Sequence, residues 1–405
     1  MLPGLFDEQF LLRKLDQKGD PLARLNSVVD WQVFLPIIEN ALGRNKDISS
    51  AGRKPYPTVL MFKILIFQSL YNLSDEGVER ELLKDLQARR FVGLSGREFG
   101  PDATTIWRFK EALTKADVLE TLHETFNNYL DELGFQASKG QIVDASIVPA
   151  PKQRNSKEEN EAIKAGNPPS DWSEAKRRQK DVDARWTKKR TQSFYGYKNH
   201  ITVDVKYKFI RGWRVTAANV HDSQVFSELL AKNTSRDVWG DSAYLSEDIL
   251  KFLKELGYRP HIQRKAQKNH PLSDWEKQGN KTRARTRSRV EHVFGAQLQR
   301  ASTLVVRCIG LVRARVKIGL CLQHGSVGLS VRSVIQRNQT GELRPEFKKQ
   351  EKMEVTGGNT ARKKSNRPTI TAKSATAAKR TEQKKLTEKL SSDGKGDFAR
   401  CPQPH

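Results

Sequence analysis

A β-branched run with one carboxylate at its centre constrains this chain more than any other feature: Gly140-Gln141-Ile142-Val143-Asp144-Ala145-Ser146-Ile147-Val148. Ile142, Val143, Ile147 and Val148 suit a buried strand, and a lone aspartate inside one loses several kcal/mol of hydration unless it is paired or holds a cation. The setting recurs at Asp237-Val238-Trp239-Gly240-Asp241-Ser242-Ala243-Tyr244, where a short strand runs through a glycine into an acid before a helix starts. A third acid, Glu291, lies in Arg287-Ser288-Arg289-Val290-Glu291-His292-Val293-Phe294 and is the single acid among ten Lys and Arg between Lys281 and Lys317. Two strand-end aspartates and a helical glutamate form an oxygen cage suited to a hard divalent ion. Each acid alone has an ordinary alternative. Asp144 could cap a strand end, Asp241 could cap the helix at Ser242, and Glu291 could pair with Arg287 one turn back.

Charge selects the partner. The 405 residues carry a formal net charge of +25, with 72 Lys and Arg against 47 Asp and Glu. Such an excess normally faces a polyanion, and nucleic acid fits better than a membrane surface. The most apolar run, Val59 to Phe67, is interrupted by Lys63 and is far shorter than the ~20 residues that a membrane span needs, and no N-terminal signal precedes it. A soluble, cytoplasmic protein is expected. Cys308, Cys321 and Cys401 show no paired spacing, so free thiols are expected rather than a disulfide framework or a zinc site, with Cys308 and Cys321 in helices.

The order of patterns gives the organisation. Residues 1–135 read as a small all-α domain for DNA-end binding or dimerisation. Thr58 to Tyr71 is apolar on nearly all sides, as a buried helix is. Ser74 caps a helix with Asp75 and Glu76 in its first turn, and Asp102 caps another that carries Arg108 and Lys110. Short helices with turns between them suit a helix-turn-helix reader, with Arg108 and Lys110 as its DNA contacts, or a structural bundle. Residues 136–335 read as an α/β domain with a mixed sheet. Within it Ser193–Val205 and Phe209–Ala217 form an antiparallel pair, and a flexible insertion at 149–183 has almost nothing to bury. Beyond Gln336, 17 basic residues face 8 acids in a low-complexity stretch, which predicts a disordered basic tail over 336–405.

Together, Val143-Asp144-Ala145-Ser146, Ala218-Asn219-Val220-His221-Asp222-Ser223, Gly240-Asp241-Ser242-Ala243-Tyr244, Arg287-Ser288-Arg289-Val290-Glu291-His292 and Phe194-Tyr195-Gly196-Tyr197-Lys198 resemble the motifs of bacterial insertion-sequence DDE transposases, the insertion-sequence-5 group. The resemblance spans roughly Asp30 to Lys317. It implies a ribonuclease H-like catalytic domain, two Mg²⁺ or Mn²⁺ ions, cleavage at transposon ends and strand transfer by the freed 3′-hydroxyl. Residue by residue it implies a triad of Asp144, Asp241 and Glu291 as catalytic metal ligands, with Arg287 as a phosphate contact. Lys198, Arg289 and Arg300 are further expected DNA contacts. Double-stranded DNA, both terminal inverted repeats and target, is the expected partner, with a homodimer or higher oligomer assembled on it at the bacterial nucleoid. Two positions depart from the family pattern: Ala284 stands where a Tyr is frequent and Leu298 where a Lys is. A catalytically decayed DNA-binding remnant and a metal-dependent nuclease without strand transfer are the alternatives. Asp222 is expected to cap the helix that follows it.

Overall fold

In the N-terminal third, local signals dictate the elements almost residue by residue. The structure, a computed structural model, describes residues 7–44, 54–95, 98–189, 191–266, 271–300 and 304–322, without the side chains of 297–300. Eight helices open the chain: α1 (Asp7–Lys18), α2 (Pro21–Val28), α3 (Leu35–Ala41), α4 (Thr58–Tyr71), α5 (Asp75–Lys84), α6 (Leu86–Val92), α7 (Ala103–Ala116) and α8 (Leu119–Glu132). The Ser74 hydroxyl accepts from Gly77 N–H at the start of α5, and Asp102 accepts from Thr105 N–H at the start of α7, as the capping pattern predicts. Helix α4 runs through the middle of this group, with Ile64, Leu65 and Ile66 at most 1% exposed. Near it, Asp20 is buried and binds Arg90, Gln87 and the N–H groups of Leu22 and Ala23. Burial alone would raise its pKa, and the hydrogen bonds from Gln87, Arg90 and the backbone outweigh that and lower it.

The rest is a mixed sheet with helices. Its strands are β1 (Gln141–Pro149), β2 (Arg185–Lys189), β3 (Gln192–Asp204), β4 (Ile210–Ala217), β5 (Asp237–Gly240) and β6 (Arg259–Ile262), in the order β2-β3-β1-β5-β6, with β4 paired to β3. β1 lies antiparallel to β3, and β3 antiparallel to β4; β1, β5 and β6 run parallel. Helices α9 (Lys157–Lys164) and α10 (Glu174–Gln179) follow β1, α11 (Phe226–Leu229) follows β4, α12 (Glu247–Glu255) joins β5 to β6, and α13 (Asp274–Arg300) comes after the sheet.

Strand alternation sorts side chains onto two faces. Ile142, Val148, Tyr197, Ile201 and Val203 join α1–α8 residues such as Phe126 and Leu130 and α13 residues Val290 and Val293 in one continuous core. Val143 points the other way, into a smaller core with Phe226, Leu229, Val238, Tyr244 and Leu253. Gly196 is needed where β3 crosses β1: at φ +148°, a Cβ there would lie 2.3 Å from the Val148 carbonyl oxygen.

Three expectations change. The 149–183 segment buries Ile163 and Trp172, and its end is tied to the sheet by Asp181, which accepts from the Tyr197 hydroxyl at 2.7 Å. Its polar composition hid two widely spaced apolar residues that are both buried. The acidic turn after β4 is a 3-10 turn at Asp222–Val225 that hands over to the short α11. Cys308 lies in a bend before the helix over 311–322, whereas Cys321 is in that helix, and neither forms a disulfide with a described residue. The tail and Cys401 lie outside the described residues. No described helix is long and apolar enough to cross a membrane.

Candidate active site

The site forms where β5 stops and its longer neighbour continues. Parallel pairing sets Val143 opposite Gly240; Asp144 comes next on β1, and Asp241 comes next just past the end of β5. Neighbouring strands lie ~4.8 Å apart, and the Asp241 charge acts on the Asp144 carboxyl. Helix α13 packs on β1 and β5, and its residues Arg287 and Glu291 are one turn apart. Arg287 Nη1 donates to Asp144 Oδ2 at 2.8 Å, and its Nη2 lies 3.7 Å from Glu291 Oε1. The Glu291 side chain is 65% exposed. Among the described residues no three acids, histidines or cysteines are gathered into one ligand shell.

Electrostatics show a site short of positive charge. Burial drives the Asp144 carboxyl up to about 6; Arg287 and the Ala145 N–H pull it back, while Asp241 and Asp222 push it further. Asp144 Oδ1 accepts from Ala145 N–H at 2.9 Å, and Asp241 Oδ1 accepts from Ala243 N–H at 2.7 Å. Capping and ligation are therefore compatible at Asp241, since its second oxygen accepts no hydrogen bond from a described residue. Two carboxylates, Asp144 and Asp241, that repel one another suit a hard divalent ion, and beside Asp144 the Arg287 guanidinium supplies the positive charge. Glu291 is on the correct face to join them but is engaged with the same Arg287.

The other expected DNA contacts differ in how free they are. Arg108 is exposed on α7, whereas Lys110 two residues on is ion-paired with Asp75 at 2.6 Å. Lys198 Nζ binds Asp222 Oδ1 at 2.9 Å and the Val220 carbonyl at 2.7 Å. Arg289 is exposed and donates Nη1 to the Val205 carbonyl at 2.8 Å. The Arg300 side chain lies outside the described residues. Lys277, Lys281, Arg285 and Arg289 form an exposed row along α13 at four-residue spacing. Sequence reasoning placed the charge of this helix correctly but did not single out the row; the i, i+4 spacing of its cations was the available signal.

Two family models match the chain. Residues 136–322 match the one described as Transposase DDE domain, and residues 10–112 match the one described as Transposase domain (DUF772). The chain belongs to the DDE transposases of bacterial insertion sequences, enzymes of DNA cleavage and strand transfer. DNA is accordingly its substrate, and the DDE domain implies dependence on a divalent metal. A cryo-EM structure of the piggyBac transposase synaptic complex with hairpin DNA aligns over 95% of this chain and 87% of that one, at 11% identity and a TM-score of 0.39. Nothing is drawn from so distant a likeness.

Proposed function

We propose that this transposase, of the insertion-sequence-5 group, cuts DNA at the terminal inverted repeats of its element and joins the freed 3′-hydroxyl to target DNA, with Asp144, Asp241 and Glu291 as metal ligands. The observation that carries this reading is that Asp144 on β1 and Asp241 just past the end of β5 each follow the paired residues Val143 and Gly240, on strands that both pack against the helix bearing Glu291. Two Mg²⁺ or Mn²⁺ ions, when bound, would supply the Lewis acidity that activates the attacking hydroxyl and stabilises the departing oxygen. The chain's own residues do the holding. Asp144 and Asp241 present oxygens from a rigid sheet, and Glu291 joins them when Arg287 leaves Asp144 for a DNA phosphate. The exposed row on α13 tracks the phosphate backbone without reading sequence.

We further propose a division of labour: residues 1–135 recognise the end through α5–α7 with Arg108 and Lys110, residues 136–335 cut and join, and the basic 336–405 tail adds non-specific attraction. A homodimer or higher oligomer on DNA in the bacterial cytoplasm completes the reading. The experiment is incubation of the protein and Mg²⁺ with DNA carrying the element's own inverted repeats and a target duplex. End cleavage with a joined product is expected. Cleavage without joining would replace the transposase by a nuclease, and binding without cleavage would mark a decayed copy, as Ala284 and Leu298 would suit.

A further inference from the structure

Behind the two aspartates, on the opposite face of the sheet, two 3-10 turns pack on one another: Asp222–Val225 after β4 and Ser242–Tyr244 after β5. The second turn brings the Tyr244 ring back beneath the end of β5. It packs 5.3 Å from the Phe226 ring, and its Cδ2 lies 3.2 Å from where a Cβ on Gly240 would sit. Phenylalanine would fill this space equally well. The hydroxyl is nonetheless there, in a residue 1% exposed, with no hydrogen-bond partner among the described residues. An unmatched buried hydroxyl is destabilising, so its presence asks for an acceptor that the resting arrangement does not supply.

The surroundings indicate which one. Burial, then the charges of Asp222, Asp144 and Asp241, keep the proton on this phenol, so it can only donate. Asp222 has the complementary deficit. Its Oδ1 takes Lys198 Nζ at 2.9 Å, and its Oδ2 accepts nothing from a described residue. His200 Nδ1, 3.9 Å from Oδ1, is also without a partner, while His200 Nε2 lies 2.9 Å from Thr216 Oγ1. The buried donor and the open acceptor oxygen thus belong to adjoining turns. A side-chain rotation or a bridging water is the contact that the pair requires.

We propose that Tyr244 and Asp222 form a positioning pair behind the metal centre: the Tyr244 hydroxyl holds the Asp222 carboxylate, whose fixed charge acts on Asp144 from the opposite face of the sheet and favours a divalent cation there over the single charge of Arg287. This rests on the metal reading of Asp144 and Asp241, and the pair touches neither substrate nor ion. Mn²⁺ binding to the full-length protein without DNA, followed by calorimetry, tests it alongside the thermal midpoint. Tyr244→Phe should keep or raise the midpoint yet weaken Mn²⁺ about tenfold, the scale seen when a partner behind a ligand is removed. Asp222→Asn should weaken it at least as much, and the double variant no further than Asp222→Asn alone. Wild-type affinity in Tyr244→Phe, or losses that multiply in the double variant, would overturn the pair. If Tyr244→Phe fails to fold, Asp222→Asn decides, and wild-type affinity there refutes the proposal. Asp144→Asn separates the two levels: it should abolish binding, and unchanged binding in it would remove the metal reading and this inference together.

Discussion

Helices α4 and α13 are built on opposite plans. Of the 14 residues of α4, ten are buried, and its one cation, Lys63, lies over the rings of Trp31 and Phe91 at 5.5 and 5.8 Å. Burial lowers the pKa of that lysine, a cost tolerated where two aromatic faces receive the charge. α13 is nearly twice as long at 27 residues, yet only Val290 and Val293 of its described side chains are buried. Two buried valines set it on the sheet, and its other described side chains, cations and Glu291 among them, are exposed or half-buried. On the proposed function one helix serves stability and the other substrate, so changes in the two should separate folding from activity.

The sharpest separation is expected at the acids. Asp144→Asn, Asp241→Asn and Glu291→Gln should each lower cleavage of end DNA by about a thousandfold or more, the scale of several kcal/mol of lost charge stabilisation. The thermal midpoint should hold or rise, because the Asp144 carboxyl, pushed up to about 6, is held ionised against its neighbours at neutral pH. Cleavage retained in any of the three removes that residue from the centre. The converse substitution, Ile64→Ala in α4, should lower stability by about 2–5 kcal/mol through lost burial and a cavity. Cleavage per folded molecule should stay at the wild-type level, and a loss there would mean that the helical segment reaches the chemistry directly.

Acid should weaken the fold through two buried histidines, one on α8 and one on β3. His123 on α8 is buried against Trp213 and its pKa is pushed down by burial, then by the Arg211 charge, from the ordinary 6.5 to about 4. The folded pKa is the depressed one, so the neutral ring's contribution is present above about 6.5 and lost as pH falls towards about 4. For one such histidine the loss approaches ~3 kcal/mol. His200, also pushed down to about 4, adds a second share. Denaturant midpoints measured between pH 7.5 and 4.5 should fall for the wild type and fall less for His123→Phe. Equal slopes would mean that His123 is charged in the folded chain.

The same contrast explains what could be read in advance. Buried helices and capped starts are local patterns, so α4, Ser74 and Asp102 were legible, as were β3 and β4 from their alternation. Asp144 and Asp241 stood out because a carboxylate in a β-branched run is anomalous wherever the run sits. What stayed hidden depends on residues far apart in sequence. Lys110 carries no mark of its pairing with Asp75, 35 positions away, and Trp172 none of the partners that bury it. Tyr244 reads as one more aromatic core residue, because only the packing of two turns reveals that its hydroxyl lacks an acceptor. Asp222, expected to cap the helix after β4, is instead the first residue of a 3-10 turn capped by His221, and its hold on Lys198 is tertiary.

The smallest effect is expected on the exposed row of α13, and it tests whether that surface differs in kind from Lys63. The side chains of Lys281 and Arg285 are exposed and have no ion-pair or hydrogen-bond partner among the described residues. Neither contributes packing, so replacing each with Ala should leave the thermal midpoint unchanged. Each phosphate contact that is lost flattens the plot of log affinity against log salt by about 0.9, because one fewer condensed ion is released on binding. The double variant should therefore lose a slope of roughly 1.8 on end DNA and on random duplex alike, with discrimination between the two preserved. Arg108→Ala on α7 is the control, expected to reduce discrimination. If the α13 variant changes sequence preference instead, this helix reads bases as well as phosphates, and recognition is no longer confined to the first 135 residues.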